Sequence, residues 1–242
     1  MQKKRNILEY NFAAGEVLLV DKPLRWTSFD VVNKIRRSLK PLKLKVGHAG
    51  TLDPLATGLL VICTGRFTKR IDEFQAEAKE YTGVITLGAN TPSYDLETQI
   101  DEIFPYHHIT DTDVRAAAST FVGEIAQLPP IHSAIKQQGE RVYEKARRGE
   151  TVRMEPRNVT IYEMEILSVD LPIVTFRVVC SKGTYIRSLA YDLGCKLGCG
   201  GHLSELRRTR SGNFHVDDAW QIDELVEILK DHPLKAVTNE NI

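Results

Sequence analysis

The chain has 242 residues, 42% apolar and 26% charged, with 32 basic residues balanced by 32 acidic ones. Such a length buries a full core as one large domain or two small ones, and the composition is that of a globular protein rather than a fibrous or disordered one. No segment approaches the roughly 18 to 20 consecutive apolar residues of a membrane span, and the basic start Met1–Asn6 leads into no apolar stretch of the kind a secretory signal needs.

The four cysteines, at 63, 180, 195 and 199, fall in apolar or helical patterns, as free thiols in a reducing compartment do, so the cytoplasm is the expected location. Zero net charge argues against a nucleic-acid binder, but the distribution matters more than the sum. Basic residues gather at Lys34–Lys45, Arg141–Arg153 and Arg207–Arg210, and acidic ones at Asp95–Glu102 and Asp217–Glu227. One basic and one acidic face, or charges scattered over solvated helices, would both give this pattern.

Glu16–Val20 reads as a short strand. Thr27 or Ser28 can cap a helix with Val31, Val32, Ile35 and Leu39 on one face, ended by Pro41. A buried strand is expected at Leu59–Cys63, a helix at Lys69–Ala78, and an alternating strand at Tyr81–Leu87. Gly88–Tyr106 reads as an acidic loop, and Thr110–Val122 as a capped helix with Val114, Ala118 and Phe121 inward and Gly123 as its stop. Two prolines make Leu128–Ala134 extended, and Tyr143–Arg148 reads as a short basic helix. Strands follow at Ile161–Val169 and Ile173–Ser181, turning at Asp170-Leu171-Pro172. Ile186, Leu189, Ala190, Leu193 and Leu197 form a helical stripe ended by Gly198, and Ile222, Leu225, Val226 and Leu229 mark a last helix. Mixed strands and helices without a repeat point to one α+β domain over residues 1–242, with an ordered core of roughly 15–232.

The stretch Gly47–Leu60 carries the clearest chemical signal. It sets Asp53 among glycines 47, 50 and 58 and beside Pro54, just ahead of the apolar run Leu59–Cys63. Glycine permits close backbone approach, and Pro54 pushes Asp53 towards an extended conformation. A tight turn with a capping Asp is the plain alternative. In Ser181–Leu189, a strand, a glycine turn and a helix start put Arg187 in a first helical turn, where it can meet a carboxylate of another element or face solvent. Tyr81 opens a strand and has the pattern of a core aromatic. Cys195, Cys199 and His202 lack the tight C-x-x-C pairing of a zinc site, so no metal is expected.

Taken whole, Gly47–Leu60 resembles the catalytic motif of the TruB family of tRNA pseudouridine-55 synthases. Four further segments match in family order: Leu18–Pro23, Lys79-Glu80-Tyr81, Cys180–Arg187 and Leu197–Arg208. So does Pro129–Lys136 with Tyr143–Gly149. The resemblance implies the pseudouridine-synthase fold, a mostly antiparallel mixed sheet with flanking helices and a cleft across it. It implies that Asp53 is the nucleophile, that Arg187 pairs with it, and that Tyr81 stacks on the target uracil and assists proton transfer. His48 would hold space near the flipped base, Tyr185 and Leu206 would line the uracil pocket, and Lys22 would support the site. Asp95, kept within a run Ser93-Tyr94-Asp95 that departs from the family's acidic one, would pair with a basic residue during base flipping. The reaction implied needs no cofactor. The implied substrate is uridine 55 in the T arm of tRNA, bound by a monomer without a guide RNA or a membrane.

A small C-terminal RNA-binding domain of PUA type, common in bacterial members, is not expected in the residues after Trp220. Two other readings stay open on the sequence: a non-catalytic chaperone of the tRNA elbow, and a guide-RNA-dependent subunit of H/ACA type.

Overall fold

The computed structural model describes residues 7–12, 14–131, 136–137, 140–141 and 154–231. The basic helix expected at Tyr143–Arg148, the segment His132–Ile135 and most of the Arg141–Arg153 cluster lie outside the described residues. In chain order the first elements are β1 (Val17–Lys22), α1 (Ser28–Ser38), β2 (Val46–His48), β3 (Ala56–Thr64), α2 (Ile71–Ala76), β4 (Lys79–Leu87), β5 (Ala89–Asn90) and β6 (Glu102–Ile103). They are followed by α3 (Asp111–Ser119), β7 (Gly123–Gln127), β8 (Lys136–Gln137), β9 (Glu140–Arg141), β10 (Arg157–Asp170) and β11 (Ile173–Cys180). The chain continues with α4 (Ile186–Leu197), β12 (Gly201–Ser211), β13 (Phe214–His215), β14 (Trp220–Gln221) and α5 (Ile222–Asp231). The fold is mixed α+β, as the sequence implies. None of the described helices is long and apolar enough to cross a membrane.

The chain packs as two compact units, Met1–Glu80 with Arg207–Ile242, and Tyr81–Leu206. In the first unit β1 runs antiparallel to β3, with Val20 opposite Leu60, and parallel to β14. Strand β3 is buried on both faces, which is why Leu59–Cys63 reads as an unbroken apolar run rather than an alternation. One face packs Leu60 and Ile62 with Leu18 and Val20 against Val31, Ile35 and Leu39 and against Leu225 and Leu229 of α5. The other packs Leu59 and Val61 against Ala49, Val216 and Ala219, with Ile71 and Phe74 at its edge. Helix α1 opens on a full capping box: Thr27 and Asp30 exchange side-chain and backbone bonds.

In the second unit β4 alternates strictly, with Tyr81, Ile85 and Leu87 buried. Strand β10 pairs antiparallel with β11 on one side and with β7 on the other. The first half of β12 lies beside β4, so closely that a Cβ on Gly83 would sit 2.5 Å from the Glu205 carbonyl oxygen. Helix α4 buries Ile186, Leu189, Ala190 and Leu193 and ends on Gly198 in the left-handed region, φ 70°.

Several elements differ from the sequence expectation. The helix expected at Lys69–Ala78 is a 3-10 turn at Gly65–Arg70 leading into the short α2. The ammonium of Lys79 stops α2 by donating to the carbonyls of Phe74, Gln75 and Glu77 at 3.2, 2.7 and 2.6 Å. Helix α3 ends at Ser119, short of Val122, and Gly123 begins a strand instead of merely closing a helix. The eleven residues of β12 carry no recognisable strand pattern, because four of them are charged, and the three arginines among them find distant partners.

Candidate active site

The first unit carries Lys22, His48 and Asp53; the second carries Tyr81, Asp95, Tyr185, Arg187 and Leu206. Around Asp53 the backbone is tied at almost every second residue. The Ser28 hydroxyl accepts from the Leu52 amide at 2.9 Å and donates to the Leu52 carbonyl at 3.1 Å. The Arg25 amide donates to the Pro54 carbonyl at 2.7 Å, and the Ala56 amide closes a turn onto the Asp53 carbonyl at 3.0 Å. These anchors use backbone groups and Ser28 to fix the loop that carries the half-buried Asp53.

Two buried cations complete that frame. Lys22 lies at the end of β1 with no solvent exposure. Its ammonium donates to the carbonyls of Pro23 at 2.9 Å, Trp26 at 2.5 Å and Pro54 at 3.4 Å, stapling the loop after β1 to the loop that holds Asp53. Burial lowers the Lys22 pKa from its usual value to about 8, against a smaller upward pull from the Asp53 charge. Arg208, 1% exposed, donates from Nε to the Leu59 carbonyl at 2.7 Å and from Nη2 to the Gly50 carbonyl at 3.2 Å. It thereby grips the loop on both sides of Asp53. Gly58 has φ 100°, and a Cβ there would lie 2.3 Å from the Arg208 carbonyl oxygen, so glycine is the residue this approach admits.

The sequence reading missed Arg208, treating Arg207–Arg210 as a basic surface cluster. The structure corrects it: Arg208 is buried, Arg207 pairs with Asp21 at 2.7 Å, and Arg210 reaches Glu80 at 3.8 Å. No periodicity marks such a residue, since a cation inside a basic run reads as solvated. His48, at the end of β2, has its Nδ1 buried without a hydrogen-bond partner among the described residues. Burial first, and then the Arg208 charge, lower its pKa, while the Gly50 backbone works the other way; the imidazole is therefore neutral at neutral pH.

In the second unit Arg187 stands in the first turn of α4 but is buried, 4% exposed, which removes the solvent-facing alternative. Its Nη1 donates to the Ser93 carbonyl at 3.2 Å and its Nε lies 3.6 Å from the Asp95 carboxylate, itself buried. The fully buried Gln127 side chain clamps the start of this helix, accepting from the Tyr185 amide at 2.8 Å and donating to the Tyr185 carbonyl at 3.0 Å. The Tyr185 ring is half-buried with the Arg157 guanidinium 5.5 Å from its centroid. Tyr81 is buried at the start of the second unit, and Leu206 is half-buried on β12. Cys199 and His202, considered as metal ligands, are buried and occupied with the carbonyls of Gly200 and Ala89.

A rigid carboxylate loop and a buried arginine that starts a helix stand on the sequence segments that resemble TruB enzymes. The N-terminal domain of TruB family pseudouridylate synthases matches residues 36–186, and the tRNA pseudouridylate synthase B C-terminal domain matches residues 187–237. The chain belongs to the TruB family. A tRNA pseudouridine synthase B of Flavobacterium johnsoniae is 55% identical over 224 residues, covering 90% of this chain and 98% of the relative. One of Parabacteroides distasonis is 53% identical over 229 residues, covering 93% and 97%. Among solved structures, a chain in the crystal structure of a Cbf5-Nop10-Gar1 complex is 32% identical with a TM-score of 0.70. That match covers 92% of this chain and 56% of the other. A chain in an H/ACA RNP bound to a substrate RNA containing 2'-deoxyuridine is 30% identical with a TM-score of 0.65, covering 87% and 52%. This TruB chain therefore spans about half the length of those solved chains and nearly all of the curated relatives. Pseudouridylate synthases are isomerases, and that is the class of reaction of this family.

Proposed function

We propose that this TruB protein isomerises uridine 55 in the T arm of tRNA to pseudouridine, as a stand-alone enzyme. The observation that carries this reading is the Asp53 loop, whose backbone is fixed at residues 50, 52, 54 and 59 by Arg208, Ser28, Lys22 and Arg25. So much anchoring serves a carboxylate that must be placed to within a fraction of an ångström of a reacting atom. The near-complete match to relatives named tRNA pseudouridine synthase B favours a guide-independent enzyme over an H/ACA subunit.

The reaction breaks the bond between C1' and N1, turns the uracil, joins C1' to C5, removes the C5 proton and leaves a proton on N1; atoms are conserved and no net oxidation or reduction occurs. It can therefore run on side chains alone. A uridine within a folded stem-loop must leave its stack to be reached, and recognition of the RNA rests on shape and backbone. Asp53 is the nucleophile in this reading. Tyr81 gives the extruded base a new π-face and takes part in the proton transfer. Arg187 supplies a permanent positive charge, with the Asp95 carboxylate 3.6 Å from its Nε. Tyr185 and Leu206 shape the uracil pocket, and neutral His48 occupies space beside the base without adding a charge.

Release of tritium from C5-tritiated uridine in an unmodified tRNA transcript tests the assignment. Release by the wild type, none by Asp53→Asn, and none when uridine 55 is replaced by cytidine establish reaction, position and nucleophile together. Binding of tRNA without release by either protein would leave a chaperone instead.

A further inference from the structure

Arg187 and Tyr191 are four residues apart on α4 and so lie on the same face, one turn from each other. The loop after β5 grips that face twice. At the first point Ser93 and Asp95 hold the Arg187 guanidinium through a carbonyl at 3.2 Å and a carboxylate at 3.6 Å. At the second the ring of Tyr94 stacks on that of Tyr191, with centroids 4.1 Å apart and planes 18° from parallel.

Tyr94 stands between the two residues that hold Arg187, and its φ is 63°. A bulky residue rarely occupies this left-handed region, and an outlier of this kind persists where its surroundings impose it. The left-handed turn folds the chain back between Ser93 and Asp95 and lets both converge on one guanidinium. Backbone bonds pin the turn: the Tyr94 amide donates to the Thr91 carbonyl at 3.1 Å, and the Leu203 amide donates to the Tyr94 carbonyl at 2.9 Å. The hydroxyls of Thr91 and Ser93 both donate to the Asp95 carbonyl, at 2.6 and 3.1 Å. None of these bonds favours tyrosine over glycine at residue 94. The ring contact does.

We propose that the Tyr94–Tyr191 stack is a positioning device for Arg187, clamping the strained turn to the helix face one turn beyond the guanidinium so that Arg187 keeps its orientation while substrate is bound. The inference rests on the role given to Arg187 above. The stack carries no charge in the working range: a hydrogen bond with Cys195 and burial push the Tyr191 phenol up to about 12, and burial with the nearby Asp192 and Cys195 raises that of Tyr94. A misplacement of an ångström at a reacting group costs on the order of a hundredfold in rate, so loosening this clamp registers in the chemical step and not in RNA binding.

The test measures single-turnover tritium release, tRNA affinity and thermal midpoint for Tyr94→Leu, Tyr94→Gly, Tyr94→Phe, Tyr191→Leu, Tyr191→Phe and the double Leu variant. Arg187→Gln is measured beside them. The expected result is a single-turnover rate lowered about tenfold or more in the Leu and Gly variants, with tRNA affinity close to that of the wild type. The Phe variants keep most of the rate, because the ring contact survives. The double Leu variant is no slower than the slower single one, as one shared contact requires. Tyr94→Gly is the sharpest arm, since it relieves the backbone strain and is expected to lose rate without losing stability. Wild-type rates in Tyr94→Leu and Tyr94→Gly would overturn the proposal, and so would rate losses that merely follow the thermal midpoint. If Arg187→Gln keeps the wild-type rate, the reading of Arg187 fails and this inference goes with it. If Arg187→Gln is inactive while Tyr94→Leu is fully active, the clamp alone is wrong.

Discussion

Arg208 donates to the carbonyl of Gly50 at 3.2 Å across 158 residues of sequence, and the same guanidinium holds the carbonyl of Leu59 at 2.7 Å. A buried side chain of β12 thus brackets the loop between β2 and β3 that carries Asp53. Five donors in a fixed fork let arginine reach two carbonyls at once, which a lysine ammonium does only as a point charge.

Replacing Arg208 is therefore expected to cost more activity than its distance from the substrate suggests. Arg208→Ala leaves two carbonyls without their donor, at about 1–3 kcal/mol for a buried unsatisfied group. It also frees the loop on both sides of Asp53. Arg208→Lys keeps the charge and satisfies at most one side, so its catalytic loss stays close to that of Ala while its loss of stability is smaller. Thermal unfolding and tritium release measured on both variants check this, and a fully active Arg208→Lys would show that the fork is not needed.

Lys22 yields a pH dependence with opposite signs in activity and stability. Its pKa is lowered from 10.5 to about 8. As pH rises through about 8, the ammonium loses its charge and one of the donors that staple the Asp53 loop, so activity is expected to fall there. Between about 8 and 10.5 the unfolded chain holds the proton that the folded chain has lost, so this group's contribution to stability rises with pH across that window. Lys22→Met has a lower activity throughout and lacks both slopes. Rate profiles and thermal midpoints of the two proteins from pH 6 to 10 provide the comparison.

Asp192, on α4, is pushed up to about 6 by burial. The folded chain therefore binds its proton more tightly than the unfolded chain, and stability from this group falls as pH rises from about 4 to about 6. Asp192→Asn removes the penalty. The variant is expected to melt a few degrees above the wild type at pH 7 and above, at about 2–4 °C per kcal/mol for a chain of this size. That gain shrinks to nothing near pH 4. A difference that does not change with pH would rule out burial of the charged form as its cause.

At the end of α1, Arg36, Arg37, Lys40 and Lys43 are exposed around one shallow cavity, and none of them has an ion-pair partner among the described residues. The Ser28 end of this helix touches the Asp53 loop, and its eleven residues span about 16 Å. On the proposed function, these four cations are expected to meet RNA backbone beyond the target nucleotide. Changing all four to Gln is expected to weaken tRNA binding most at low salt. It lowers the slope of log affinity against log salt by about 0.7–0.9 for each phosphate that is no longer neutralised. The single-turnover rate at saturating RNA stays unchanged. Affinity measured from 50 to 300 mM salt decides whether these charges meet phosphate.

Local physics made much of this protein readable from its sequence. Thr27 or Ser28 announces a capped helix start, Gly198 a helix stop, Leu59–Cys63 a buried strand, and Gly47–Gly58 a rigid loop presenting Asp53. Each of these signals lies within a few residues of the structure it encodes, because caps, turns and periodic faces are local. What the tertiary structure decided are the fates of charged groups. Arg208 looks solvated in sequence and Arg187 is open to either fate there, yet both are buried, and β12 has a strand's geometry without a strand's pattern. A guanidinium can leave water only where acceptors converge on it, and its acceptors here come from residues 93 and 95 in one case and 50 and 59 in the other. Those pairings exist only once the chain has folded, so no window of sequence contains them.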